Sequence, residues 1–248
     1  MEGAQYIAMT GMLAASRSLD VTANNLANAS STAFKAERAA YRAVPFFYQG
    51  LPNRVDTVAQ KNGVDWQEGP IRQTGRSLDV AINGPGFFVV QDAGGAQAYS
   101  RAGNLDVTSQ GMLVNANGQA ILGTGHAPIY VPPNAQVSIA PDGAVSVIPD
   151  TPNAQANVVG QILVVNPNPQ SLRLAGNGTF APANGAAINL KNGIAANLVP
   201  GALEGSNVNT VNSMVNMISD SRLFQWETQA EQNITADQKD AGSIPANI

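Results

Sequence analysis

The chain has 248 residues, of which only 12% are Asp, Glu, Lys or Arg, and it carries a formal charge of -4. That charged share is about half the usual value, and Lys and Arg nowhere form a run, which excludes a nucleic-acid footprint and points to a surface that meets protein over much of its area. Cysteine is absent, so disulfides, thiolate nucleophiles and zinc knuckles are excluded as well.

Residues 1–35 predict a helix. Tyr6, Met9, Met12, Ser16, Leu19, Ala23 and Leu26 recur at steps of three and four, the spacing of a helix that packs against other helices. Gly3, Thr10, Gly11 and several Ser and Asn residues lower its propensity, so its stability is expected to come from packing. The opening MEGAQYIAMTGMLAASRSLD lacks the basic leader and unbroken apolar core of a secretory signal, and no apolar run is long enough to insert in a membrane.

Residues 36–75 predict an extended connector. From 76 to 200, short β-rich runs such as LDVAI and FFVVQ alternate with NGPG and DAGG, the pattern of a β domain. Two hairpins are expected, with type I′ turns at Asn117–Gly118 and Asp142–Gly143. VVGQILVV is the most apolar run and predicts a central strand. Residues 201–248 predict a second helix, capped by Asn207 or Asn209. Its stripe of Val208, Val211, Val215 and Ile218 is continued by Leu223 and Trp226 after a slip in phase, and Pro245 prevents further extension. The fold class is α+β: a mainly-β central domain flanked by N- and C-terminal helices that pack together as a coiled-coil-like inner layer.

Chemistry-bearing constellations are sparse. His126 has no acidic neighbour in sequence, and NGPGFF and AGNGTF match no phosphate-binding loop. The stretch from Asp106 has calcium-loop spacing but ends in Asn117 where a bidentate Glu is required, so a hairpin suits it better. Asp79 and Asp106 are the one carboxylate pair to consider for acid–base work. No catalytic residue, cofactor or metal is expected.

Four blocks carry a resemblance. ANNLANASSTAFK, from Ala23 to Lys35, resembles the N-terminal signature of bacterial flagellar axial proteins, the rod and hook subunits, in which an Asn-rich helix end precedes a Thr-x-Gly-Phe-Lys turn. LDVAINGPGFFVV resembles the second block, YSRAGNLDVTSQGMLVNANGQAILG the third, and GALEGSNVNTVNSMVNMI the C-terminal signature. The chain is thereby identified as a member of the flagellar basal-body rod protein family, most like the proximal-rod member closest to the distal rod protein. A distal-rod or hook-type subunit is the alternative, and a peptidoglycan-cleaving enzyme is the rival from a different class. One position departs from the pattern: Ala33 stands where Gly is expected, a strain of about 1 kcal/mol or more if φ is positive there.

The resemblance implies a structural subunit that assembles with itself and other rod proteins into a helical tube transmitting torque for motility. It also implies passage through the flagellar export apparatus, without a cleaved signal peptide, to the periplasmic rod of the basal body. The subunit interface is expected at Met9, Met12, Leu19, Ala23, Asn24, Leu26, Asn28, Phe34, Val208, Val211, Val215, Ile218, Leu223 and Trp226, with the amides of Asn24, Asn25 and Asn28 setting register.

Overall fold

The computed structural model describes residues 2–48, 51–59, 63–133, 135–149, 155–176, 178–183, 193–195 and 197–243. They fall into two compact units. A helical unit comprises Met1–Ala29, Ala36–Asp65 and Val208–Ile248, and a β unit comprises Ser30–Lys35 and Trp66–Asn207.

The helical unit pairs α1 (Glu2–Ala27) with α2 (Thr210–Ser243). The two run antiparallel: Thr22 donates to Asp220 Oδ2 at 2.9 Å, while nearer the start of α1 Met12 Sδ lies 3.8 Å from Thr228 Oγ1. Small residues permit the approach. Ala8 and Ala15 are buried, and a Cβ on Gly11 would stand 2.9 Å from the Glu227 carboxyl group. Of the two candidate caps, Asn209 holds the start of α2, its Oδ1 accepting the Asn212 N–H at 3.0 Å and its carbonyl that of Ser213. Asn207 instead donates its amide to the Gln67 carbonyl inside the β unit.

The stretch expected to be an extended connector contains an antiparallel hairpin, Tyr41–Tyr48 with Leu51–Ala59, bulged between Phe46 and Phe47. Pro45 and Pro52 obscured it in the sequence, because proline demotes a run from strand to edge strand or loop. A two-stranded hairpin has only edges, so both prolines are tolerated. The Tyr41 hydroxyl ties it to α1 by donating to the Ala14 carbonyl at 2.9 Å.

In the β unit the central strand is Phe87–Gln91, which pairs antiparallel with Gln97–Ser100, Ala120–Ile121 and Val164–Val165. The sheet extends through Thr179–Pro182 and Leu172–Gly176 on one side and Leu113–Asn115 and Leu105–Val107 on the other. Alternation along the central strand serves two cores. Phe88 and Val90 join Ile121, Ile139, Val145 and Val164 in the main cluster. Phe87 faces the other way, into an aromatic group with Trp66, Tyr99 and Phe180 whose ring centroids lie 4.9–6.1 Å apart.

Two local expectations are corrected. VVGQILVV is not one strand: Asn157–Gln161 is the exposed outer strand of a three-stranded sheet, and only Val164–Val165 enters the large sheet. An unbroken apolar run does not reveal such a division. The hairpin turns at Gly118 and Gly143 exist, but Ala33 and His126 are the only non-glycine residues with positive φ among those described, so Asn117 and Asp142 do not form type I′ turns. Each turn has a single left-handed Gly whose N–H returns to the carbonyl three residues earlier, Asn115 and Ala140, at 2.9 Å. Gly95 and Gly111 close on Asp92 and Thr108 in the same manner.

Candidate assembly interface

Helix α2 has two working sides. Ser213, Met217, Asp220, Phe224 and Thr228 lie on its buried or half-buried side, with Asp220 and Thr228 in contact with α1. Val211, Val215, Ile218 and Trp226 lie within about 80° of one another at about 100° per residue, on the opposite side. These four are 69%, 57%, 56% and 70% exposed. Leu223, at the margin of that stripe, and Met214 are exposed as well. The helix is continuous across the predicted slip, and Trp226 stays in line with Val211 and Ile218.

The sequence-derived seam of α1 separates into two groups. Met12, Leu19 and Leu26 are half-buried, whereas Met9 and Ala23 are exposed. Tyr6 and Leu13, next to Met9 on the outer side, are exposed too. The Asn residues find partners within the chain. Asn24 donates to Glu37 Oε1 at 2.7 Å, and Asn28 donates to Asn24 Oδ1 and to its carbonyl at 2.9 Å. Asn25 makes a two-way pair with the Glu37 backbone, 2.8 Å each way. These amides fasten the end of α1 to the short strand Glu37–Arg38.

Val208 and Phe34 lie outside both helices and are half-buried. Phe34 belongs to the β unit, where its carbonyl accepts the Asn207 N–H at 3.2 Å. The residue before it, Ala33, has φ 54, so this position does require the left-handed conformation expected of a glycine. Its strain of about 1–2 kcal/mol is offset by a buried methyl and by an N–H that donates to the Glu204 carbonyl at 2.8 Å.

Beside this turn lies an ion cluster that sequence reading missed, although Lys35 and Glu204 both fall inside quoted blocks. Lys35 Nζ donates to Glu204 Oε1 at 2.7 Å and to the Gln67 carbonyl at 2.7 Å. Arg101 Nε donates to Glu204 Oε2 at 2.7 Å, and the Gly69 N–H to Oε1 at 3.0 Å. All three side chains are buried. Burial, opposed by the Glu204 carboxylate, holds the Lys35 pKa below its ordinary 10.5. Nothing local marks such a group, because its members stand far apart in sequence.

The carboxylates considered above for acid–base work are ion-paired. Arg76 lies 3.4 Å from Asp79 and 3.5 Å from Asp106, a cation between carboxylates, which is no arrangement for an acid–base pair. His126 sits in an exposed turn at φ 60. Among the described residues no group of acidic or histidine side chains could hold a metal, and no helix is long and apolar enough to cross a membrane.

Comparison with known proteins completes the picture. Residues 6–35 match the family described as flagella basal body rod protein, 81–147 the flagellar hook protein FlgE/F/G D1 domain, and 199–232 the flagellar basal body rod FlgEFG protein C-terminal family. The flagellar basal-body rod protein FlgF of Salmonella typhimurium is 35% identical over 95% of this chain and 96% of its own length. The chain belongs to the flagellar basal-body rod protein family. FlgF of Escherichia coli is 35% identical over 91% of the chain and 92% of its own length, and the rod protein FlgG of Agrobacterium fabrum 30% over 98% of each. All but the first four residues of α1, and the Ala33 turn, fall inside the first family match, and the two-sided start of α2 inside the last.

Proposed function

We propose that this chain is a structural subunit of the flagellar rod, placed in its proximal part, which assembles with copies of itself and other rod proteins into a helical tube. The observation that carries this reading is the outward apolar stripe of α2: four large side chains left more than half exposed on a helix whose other side is already packed. Helices α1 and α2 supply the axial layer, and the stretch expected as a connector adds the strands Tyr41–Tyr48 and Leu51–Ala59 to the same unit. The interface comprises the exposed members of the sequence-derived set, Met9, Ala23, Asn24, Val211, Val215, Ile218, Leu223 and Trp226, with Met12, Leu19, Leu26, Asn28, Phe34 and Val208 supporting it. Heterologous contacts of this kind do not close, and they propagate as a helix. The subunit passes through the export apparatus, stands in the periplasm, and transmits torque without catalysing a reaction.

A strain lacking the chain should be non-motile, with basal bodies that carry neither distal rod nor hook, and the wild-type gene should restore both. Basal bodies with a complete distal rod in the deletion strain would overturn the proximal placement. Clearing of peptidoglycan by the purified chain in a zymogram would overturn the non-catalytic reading.

A further inference from the structure

The three segments by which the chain enters and leaves the β unit, residues 30–35, 66–69 and 204–207, all meet at one carboxylate. Glu204 binds Lys35 from the first segment, the Gly69 N–H from the second and Arg101 from the sheet. Main-chain bonds follow the same route: Ala33 N–H to the Glu204 carbonyl, Asn207 N–H to the Phe34 carbonyl, and Gly205 N–H to the Pro70 carbonyl, at 2.8, 3.2 and 2.8 Å. Lys35 and Glu204 are 169 residues apart. Among the described residues neither cation has another carboxylate as close: the remaining contact, Arg101 to Glu68, is 4.0 Å long and reaches a half-exposed side chain.

We propose that Glu204 is a latch that makes the docking of residues 30–35 conditional on the arrival of residues 204–207. A buried ammonium without its carboxylate is strongly disfavoured, so the Lys35 side chain has no stable place in the β unit until Glu204 is there. The N-terminal segment therefore stays undocked in any chain still incomplete at its C-terminal end, whether during synthesis or passage through a channel. The assembly function proposed above gives such a latch a use, because a chain still in passage is incomplete. The latch itself does not depend on that reading.

The test is hydrogen exchange on the full-length Glu204→Gln chain, which keeps the shape of the side chain and removes its charge. The backbone amides of Ala33 and Gly69 should exchange at least tenfold faster than in wild type, while those of Val89 and Val164 keep their protection, and trypsin should begin to cut after Lys35. Unchanged exchange at Ala33 and Gly69 overturns the proposal. So does an equal loss of protection at Val89 and Val164, which would make Glu204 a support of the whole core. Should Glu204→Gln fail to fold, Glu204→Asp withdraws the charge by one methylene and is held to the same criteria. Polymerisation is not part of the readout, so failure of the latch and failure of the assembly reading remain distinguishable.

Discussion

Ile218→Asp separates the two sides of α2. In the free chain Ile218 is 56% exposed, and surface substitutions of that kind usually change stability by no more than about 0.5 kcal/mol. In an assembly the outward stripe is covered. Full burial of such a side chain contributes about 1.5–3 kcal/mol, so covering the remaining exposure of Val211, Val215, Ile218 and Trp226 contributes roughly 4–7 kcal/mol per contact. Asp at 218 forfeits the isoleucine share and places a carboxylate in an apolar seam, a cost of several kcal/mol. A net loss of about 4 kcal/mol weakens association roughly a thousandfold. The assay pairs thermal unfolding of the monomer with sedimentation of assemblies over a range of concentrations, and with swimming in a complemented strain. Ala15→Asp is the opposite control, because Ala15 is 2% exposed and its substitution should destabilise the monomer. If Ile218→Asp lowered monomer stability by more than about 1 kcal/mol, or assembled at the wild-type concentration, the assignment of the stripe to a neighbour would be wrong.

Lys35→Met leaves Glu204 with one cation instead of two and should lower stability by about 3–5 kcal/mol in denaturant titration. Because burial holds the Lys35 pKa below 10.5 in the folded state, the unfolded chain binds more protons in the window beneath that value, and stability contributed by this group rises with pH there. The wild-type minus Lys35→Met difference should therefore grow as pH rises toward 10.5, and a difference that shrinks would contradict the burial argument. Gly103→Ala should destabilise by about 3 kcal/mol or more, since its Cβ would lie 1.6 Å from the Val80 carbonyl oxygen. Gly11→Ala meets only the movable end of Glu227 and should be neutral or stabilising by up to about 1 kcal/mol in thermal unfolding. In a verified monomer, trypsin should cut after Arg17 and Arg222 well before Lys35 and Arg101, which are buried; early cleavage at Lys35 would show that the latch is open.

The helices and the β domain were legible because their signals are local. Steps of three and four in Met9, Met12 and Leu19, and glycines spaced between apolar runs, report on neighbours a few residues away. The need for positive φ at residue 33 was legible through the family turn. What sequence concealed was pairing at a distance. The hairpin at Tyr41–Ala59 is specified by its register rather than by its composition, and VVGQILVV divides between two sheets because its halves find different partners. The Asn residues of α1 were expected between subunits, yet in the chain they bond to one another and to Glu37, which an amide four residues from the helix end can reach. The Lys35–Glu204–Arg101 cluster had no local sign at all.

The distribution of side-chain size between the two sides of the helices bears directly on function. On their buried sides α1 and α2 carry Ala8, Gly11, Ala15, Val21 and Ser213 with the half-buried Met12, Met217 and Phe224, and Thr22 and Asp220 are joined by a hydrogen bond. Outward they present Tyr6, Met9, Leu13, Val211, Val215, Ile218 and Trp226. Since the hydrophobic contribution scales with apolar area removed from water, the larger contribution available to these helices is on the side the chain leaves uncovered. A helix pair selected for stability as a monomer would place the large residues inside and the small or polar ones outside. The small residues at Ala8, Gly11 and Ala15 let the backbones approach closely within the chain, and the exposed stripe is an apolar surface that the assembly proposed above would cover.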